Sequence, residues 1–300
     1  MLIGSPFALS IMDTVLVDSQ GNPPWMRLVQ PSDENAFSRL SSEISAFIQL
    51  IQPTAKEEQV RRNIIDRLQI QVRKIWPTAT VVPIGSIAQG LYTSSSDLDL
   101  FISHSGDLNL LFEHMNDLAA PGTLTIVPGA RIPIIKYVDA CGSGIQVDVS
   151  MNNGSATAST HFVLQTVSQY PILRPLTILL KQWLLQRKMN EVYQGGLSSY
   201  ALFLLVLTTV RQQFPCPHKE ALGRALFQFF HQWATPVHPL GLFIRDPVNP
   251  ENVIGHQSFS FPEIQLQWEM SFNALNAALT DYDGNRERSL LSSILGLTTR

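Results

Sequence analysis

Pro83-Ile-Gly-Ser-Ile-Ala-Gln-Gly-Leu-Tyr-Thr-Ser-Ser-Ser-Asp-Leu-Asp-Leu100 joins a Gly-Ser turn to two aspartates one residue apart. Valines and isoleucine between Ala79 and Ile84 favour a strand, which Gly85-Ser86 then breaks before a short helical turn toward Gln89-Gly90. A glycine has no Cβ to block an incoming triphosphate, and exposed backbone N–H groups with the Ser86 hydroxyl offer donors to its oxygens. The run Asp97-Leu-Asp-Leu-Phe-Ile102 alternates polar and apolar residues. Asp97 and Asp99 therefore share one face of a strand, while Leu98 and Leu100 point into a core.

An Asp-x-Asp pair on a surface strand is ordinarily a solvated face. Two features set this pair apart: Ser86 lies eleven residues before Asp97, and Asp148 sits in another apolar run, Gly144-Ile-Gln-Val-Asp-Val149. Like charges on one face repel unless a cation lies between them, and hard carboxylate oxygens suit Mg²⁺ or Mn²⁺ rather than zinc. Asp97, Asp99 and Asp148 are thus expected to be catalytic, metal-binding carboxylates. They would serve an in-line nucleotidyl transfer in which one ion activates a 3′-hydroxyl and the other neutralises the triphosphate.

Working outward, apolar positions at helical spacing predict helices over 35–50 and 55–76, with Glu57 and Glu58 near the start of the second. Strands are expected near 79–84, 97–103, 131–138 and 144–150, with a helix over about 107–118 between the first pair and the second. Beyond Gly154 the pattern turns helical: a helix from Pro175 to Arg187, then others near 197–214, 219–233, 262–280 and 286–296. The fold class is therefore α+β: a mixed-sheet catalytic domain at 76–168 and a helical domain at 169–300, with the active site in the cleft. The N-terminal helices 35–75 would belong to the helical domain or pack on it.

The helical half offers further candidates. Lys181 could balance triphosphate charge, against the alternative of a helix-surface lysine. In Gly195-Gly-Leu-Ser-Ser-Tyr200 the serines could meet phosphate at a helix start and Tyr200 could stack on a base. The alternative there is a serine N-cap and a core tyrosine. Asp246-Pro247 with Asn249, Asn252 and Gly255 forms a polar turn suited to a base edge.

Composition narrows the classes. Hydrophobic residues make up 45% and charged ones 15% of 300 residues, which fits two packed units without a long disordered arm. A formal charge of −3 is unusual for a chain that grips nucleic acid unaided, so a polynucleotide substrate is expected to need a partner's help. Cys141 and Cys216 form no Cys-x-x-Cys pair, which suggests neither a disulfide framework nor zinc. The run Leu197–Val210 is too short to span a bilayer, and Met1–Val17 has no basic n-region, so neither a membrane span nor a secretory signal is expected.

Taken together, the chain resembles the DNA polymerase β-type nucleotidyltransferase superfamily, specifically the poly(A) polymerases of the nuclear RNA-surveillance (TRAMP-type) group. The similarity runs from about Leu40 to Gly255. It is carried by Glu57-Glu58, Trp76-Pro77, Gly85-Ser86, Gly90-Leu-Tyr92, Ser96-Asp-Leu-Asp99, Pro133-Ile-Ile-Lys136, Val147-Asp-Val-Ser150, Leu180-Lys-Gln-Trp-Leu-Leu-Gln-Arg187, Gly195-Gly-Leu-Ser-Ser-Tyr200 and Asp246-Pro247. The resemblance implies a template-independent transfer of AMP from ATP to an RNA 3′ end, a nucleotidyltransferase domain and a poly(A)-polymerase-associated central domain.

By the same resemblance Gly85, Ser86, Lys181 and Ser199 contact phosphates, Tyr200 stacks on the base, and Asp246 with Asn249 lies near it. Related uridylyltransferases often carry histidine at the position of Asn252, so Asn252 leans toward ATP. The implied partners are a zinc-knuckle RNA-binding protein and an RNA helicase, and the implied compartment is the nucleus, with the cytoplasm as alternative. Two departures stand out: a short segment before Asp246, which implies reduced RNA contacts, and His256 in place of an arginine. Terminal uridylyl transfer and a non-catalytic scaffold role are the competing functions. Small-molecule nucleotidyl transfer leaves the Gly195–Tyr200 run unexplained.

Overall fold

The computed structural model describes residues 15–16, 21–29, 35–127, 133–151, 154–212, 216–234, 244–251, 253–254, 258, 260–285 and 287–298. In chain order, helices α1 (Ala36–Ile51) and α2 (Ala55–Ile75) precede strand β1 (Val81–Pro83), the single turn α3 (Gly85–Ala88) and strand β2 (Leu98–Ile102). Helix α4 (Leu108–Glu113) and strands β3 (Thr125–Val127), β4 (Ile134–Val138) and β5 (Gln146–Met151) follow. Helices α5 (Gly154–Gln169), α6 (Leu173–Gln186), α7 (Ser199–Arg211) and α8 (Ala221–Ala234) lead to a short hairpin, β6 (Ile244–Arg245) with β7 (Val253–Ile254), and then to α9 (Phe261–Thr280). The described residues divide into two units, one within 52–166, the other within 11–51 and 167–300.

In the first unit the strands form one mixed sheet in the order β1-β2-β5-β4-β3. Only β2 and β5 run parallel; the other neighbours are antiparallel. Strand β2 alternates buried and half-buried residues, so Leu98, Leu100 and Ile102 enter the core while Asp99 and Phe101 face the other way. Val147 and Val149 of β5 and Ile135 and Tyr137 of β4 join that core.

Helix α2 covers it with Ile64, Leu68 and Val72. A capping box starts α2: the Thr54 hydroxyl accepts from the Glu57 N–H at 3.3 Å, and the Glu57 carboxylate accepts from the Thr54 N–H at 2.7 Å. The two N-terminal helices, grouped as 35–75 on sequence, therefore part company. Helix α2 lies on the sheet because its apolar stripe is part of the sheet's core, and α1 groups with the second unit.

That second unit is helical. Helix α7 is buried almost all round, as its unbroken apolar run requires. Aromatic residues knit α6, α8 and α9: Trp183 Nε1 donates to Ser271 Oγ at 3.1 Å, and the Phe229 and Trp268 rings meet edge to face at 5.4 Å. Helix α1 packs on α8 at Gly223, whose N–H donates to Ser41 Oγ at 2.8 Å and where an added Cβ would lie 2.6 Å from the Phe37 carbonyl oxygen.

The helix expected over 286–296 is replaced by a single 3-10 turn, Leu291–Ser293. Its backbone donors are diverted: the buried Glu43 carboxylate of α1 accepts from the Leu290 and Leu291 N–H groups and from Ser289 Oγ. Ser292 and Ser293 hydroxyls donate to backbone carbonyls three residues back, which also competes with helix formation. Strand β3 was not expected from sequence. It is a three-residue edge strand, and the first positions of the strand expected over 131–138 lie outside the described residues.

Candidate active site

The parallel pairing of β2 with β5 sets Asp99 directly beside Asp148. Both are half-buried, on the face opposite the core residues Leu98, Leu100, Val147 and Val149. Asp97, two residues before Asp99 and of the same parity, precedes the first residue of β2 and is exposed. On the other side of β5, Lys136 of β4 pairs in register with Asp148, and its ammonium sits 2.6 Å from Asp148 Oδ2.

Burial opposes the charge on Lys136. The hydrogen bond and charge of Asp148, with the charges of Asp97 and Asp99, outweigh that and hold its pKa above the ordinary lysine value. All three carboxylates thus act on the one ammonium of Lys136. The oxygen donors of an all-carboxylate set fit a hard divalent ion in chemistry. Among the described residues, no three acidic, histidine or cysteine side chains stand close enough together to form a ready-made metal cage.

The Gly-Ser turn packs directly on this row. Gly85 has φ +61°, and a Cβ there would lie 2.6 Å from Asp99 Oδ2. Both the backbone conformation and the approach require glycine. The Ile84 N–H donates to the Asp99 carbonyl at 3.0 Å, and the Leu91 N–H to the Ser86 carbonyl at 2.9 Å, so the turn is tied to β2 and closed on itself.

The remaining expected residues lie in the second unit. Lys181 is half-buried on α6, and Ser199 is the exposed first residue of α7. Ser198 caps that helix, its Oγ accepting from the Ala201 N–H at 3.1 Å. Tyr200 donates its hydroxyl to Asp246 Oδ1 at 2.9 Å, and the same oxygen accepts from the Val248 N–H at 2.9 Å. Burial first, then the Asp246 hydrogen bond and charge, raise the Tyr200 pKa.

The structure therefore joins Tyr200 to Asp246, two residues that sequence could only place in separate segments. Asn249 is exposed in the following turn, and Asn252, Gly255 and His256 lie outside the described residues. The two glycines before α7 have a backbone role. Gly195 takes φ +86°, and a Cβ on Gly196 would lie 2.5 Å from the Met189 carbonyl oxygen.

Sequence alone gives Lys136, at the end of Pro133-Ile-Ile-Lys136, no role. Its strand parity was legible, but its pairing with Asp148 depends on register between strands.

A mixed sheet carrying this carboxylate row, with a helical unit beyond it in the chain, is the architecture of polymerase β-like nucleotidyltransferases. Residues 40–169 match the family model for the central palm domain of mitochondrial-like poly(A) RNA polymerase. Poly(A) RNA polymerase cid14 of Schizosaccharomyces pombe is 29% identical over 335 residues, which cover 94% of this chain and 48% of that protein. The polymerase core of TRAMP, an RNA surveillance complex, matches with a TM-score of 0.81 at 25% identity, over 92% of this chain and 99% of that one.

Trf4-2 of Drosophila melanogaster, whose name marks it as an inactive poly(A) RNA polymerase, is 29% identical over 89% of this chain and 76% of its own length. The chain is thus similar to TRAMP-type poly(A) RNA polymerases in sequence and in fold. It spans only part of the curated relatives it matches, 48% and 54% of their length in two cases.

Proposed function

We propose that the protein is a template-independent RNA 3′-terminal adenylyltransferase that uses ATP and a divalent metal. The observation that carries this reading is the Asp99–Asp148 pair in register, with Gly85 pressed against Asp99. Asp97, Asp99 and Asp148 would hold Mg²⁺ or Mn²⁺, which when bound supplies activation of the 3′-hydroxyl and neutralisation of the leaving pyrophosphate. The chain's own residues prepare the ground. Strand pairing fixes the backbones of Asp99 and Asp148, Lys136 balances the charge on Asp148, and the absent side chain at Gly85 leaves room for the Asp99 carboxylate beside the Gly85-Ser86 turn.

Lys181 and Ser199 are assigned to the triphosphate, Tyr200 to the base, and Asp246, Asn249 and Asn252 to the neighbourhood of the base. The choice of ATP is supported by Asn252, which stands where related uridylyltransferases often carry histidine. A nuclear RNA-surveillance role, with a zinc-knuckle RNA-binding protein and an RNA helicase as partners, belongs to the same proposal. It is supported by the likeness to the TRAMP core and by the formal charge of −3.

The test is a labelled oligo(A) incubated with purified protein, Mg²⁺ and each nucleoside triphosphate in turn. A ladder with ATP supports the proposal, and a ladder with UTP but not ATP overturns it. The inactive Drosophila relative gives specific weight to a second reading, a non-catalytic subunit. That reading requires no ladder with any triphosphate and an unchanged cellular phenotype for Asp97→Ala.

A further inference from the structure

We propose that Arg61 is a positioning residue that sets the place of Asp97 by clamping the loop before it. This rests on the reading of Asp97 as a metal-binding carboxylate. Arg61 projects from the middle of α2 and is only 3% exposed. Its Nη2 donates to the Ser94 carbonyl at 2.8 Å and the Ser96 carbonyl at 2.9 Å, with the Thr93 carbonyl at 3.5 Å. The guanidinium also lies over the Tyr92 ring, 5.8 Å from its centre, and Tyr92 donates its hydroxyl to Glu58 Oε1 at 2.9 Å. Glu58 and Arg61 are three residues apart on α2 and so share a face. One helix face thereby holds the whole of Tyr92–Ser96.

The Ser96 carbonyl decides the consequence. It belongs to the peptide unit that links Ser96 to Asp97, and that unit is planar from one Cα to the next. Holding its oxygen restrains the orientation of that plane, and with it the place of the Asp97 Cα, at the point where the chain starts β2. The loop's own bonds, Thr93 N–H to Ser96 Oγ at 3.0 Å and Ser96 N–H to the Thr93 carbonyl at 3.1 Å, shape the turn but tie it to no other element.

Net stability does not explain the arginine. Among the described residues, its Nε and Nη1 are buried without a hydrogen-bond partner. A buried unsatisfied donor is destabilising, and it offsets part of what the bonds from Nη2 contribute, so an apolar side chain of similar length should cost the global fold little. What methionine lacks is a donor for two converging carbonyls.

The experiment compares wild type, Arg61→Met and Arg61→Lys as full chains, by melting temperature, adenylation kinetics and hydrogen exchange over residues 92–99. Arg61→Met is expected to lower kcat by about 10²-fold, the effect of displacing a reacting group by roughly 1 Å. Its KM for ATP and melting temperature should stay near wild type. Exchange of the Thr93 and Ser96 amides should accelerate by at least about tenfold as the loop opens locally. Arg61→Lys, which keeps a cationic donor, should recover much of the kcat.

Wild-type kcat in Arg61→Met, or a loss of activity that only follows a fall in melting temperature, overturns the proposal. So does unchanged exchange over 92–99. Should the wild type transfer no nucleotide at all, the functional reading fails by itself, and the exchange comparison still decides the clamp.

Discussion

Gly85→Ala tests whether the turn and the carboxylate row form one device. Two costs arise in the folded state. At φ +61° an alanine sits in the left-handed region, roughly 1–2 kcal/mol above its preferred conformation. The new methyl group would also lie 2.6 Å from Asp99 Oδ2, a distance that must open to about 3.4 Å for ordinary contact. The backbone of Asp99 is held by pairing with β5 and by the Ile84 N–H, so its side chain has to swing. A displacement approaching 1 Å at a reacting centre costs about 10²-fold in rate.

Gly122→Ala provides the control, because Gly122 has φ +76° but nothing within 4 Å of the site of a Cβ. Both variants should melt a few degrees lower, as roughly 1–2 kcal/mol implies for a unit of this size. Only Gly85→Ala should lose adenylation. Equal melting shifts with full activity in both variants would refute the reasoning, since the contact with Asp99 would then have no chemical consequence.

Other outcomes follow from the same geometry. Asp148→Asn should abolish transfer while ATP binding, followed by fluorescence with a labelled analogue, stays within about threefold, because the assigned phosphate and base contacts lie elsewhere. Gly223→Ala should destabilise the protein in a denaturant titration. Alanine gains about 1 kcal/mol of helix propensity, but its Cβ would lie 2.6 Å from the Phe37 carbonyl oxygen, and overpacking against backbone typically costs 1–3 kcal/mol, so we expect a net loss of about 1 kcal/mol. The raised pKa of Tyr200 makes the folded state hold its proton more tightly than the unfolded state. Its contribution is therefore complete below pH 10 and declines as pH rises through the ordinary tyrosine value of 10.0. Tyr200→Phe should flatten that alkaline decline in a series of melting curves, and an unchanged slope would remove Tyr200 as its source.

Local chemistry made most element boundaries legible. Thr54 and Glu57 announce the start of α2, Ser198 caps α7, and the alternation in β2 shows that Asp97 and Asp99 share a face. The segment 286–296 misled because its donors go to Glu43, a residue nearly 250 positions away that no window of sequence can include. Sequence places two glycines before α7 without saying why they are glycines; Gly196 is required by the Met189 carbonyl oxygen, which is again a matter of packing.

The division between sequence and tertiary structure follows from what strand periodicity can specify. A period of two assigns Asp97, Asp99 and Asp148 each to a face of its own strand, and that much is contained in the chain itself. It cannot say which strand lies alongside which, or in what register. The order β1-β2-β5-β4-β3 sets Asp148 beside Asp99 and Lys136 beside Asp148, and it does so through hydrogen bonds between segments far apart in sequence. The assignment of α2 to the sheet, and with it Arg61 to the loop before Asp97, depends in the same way on which apolar surface each helix buries. The residue types named the chemistry; the pairing of distant strands decided whether they could perform it together.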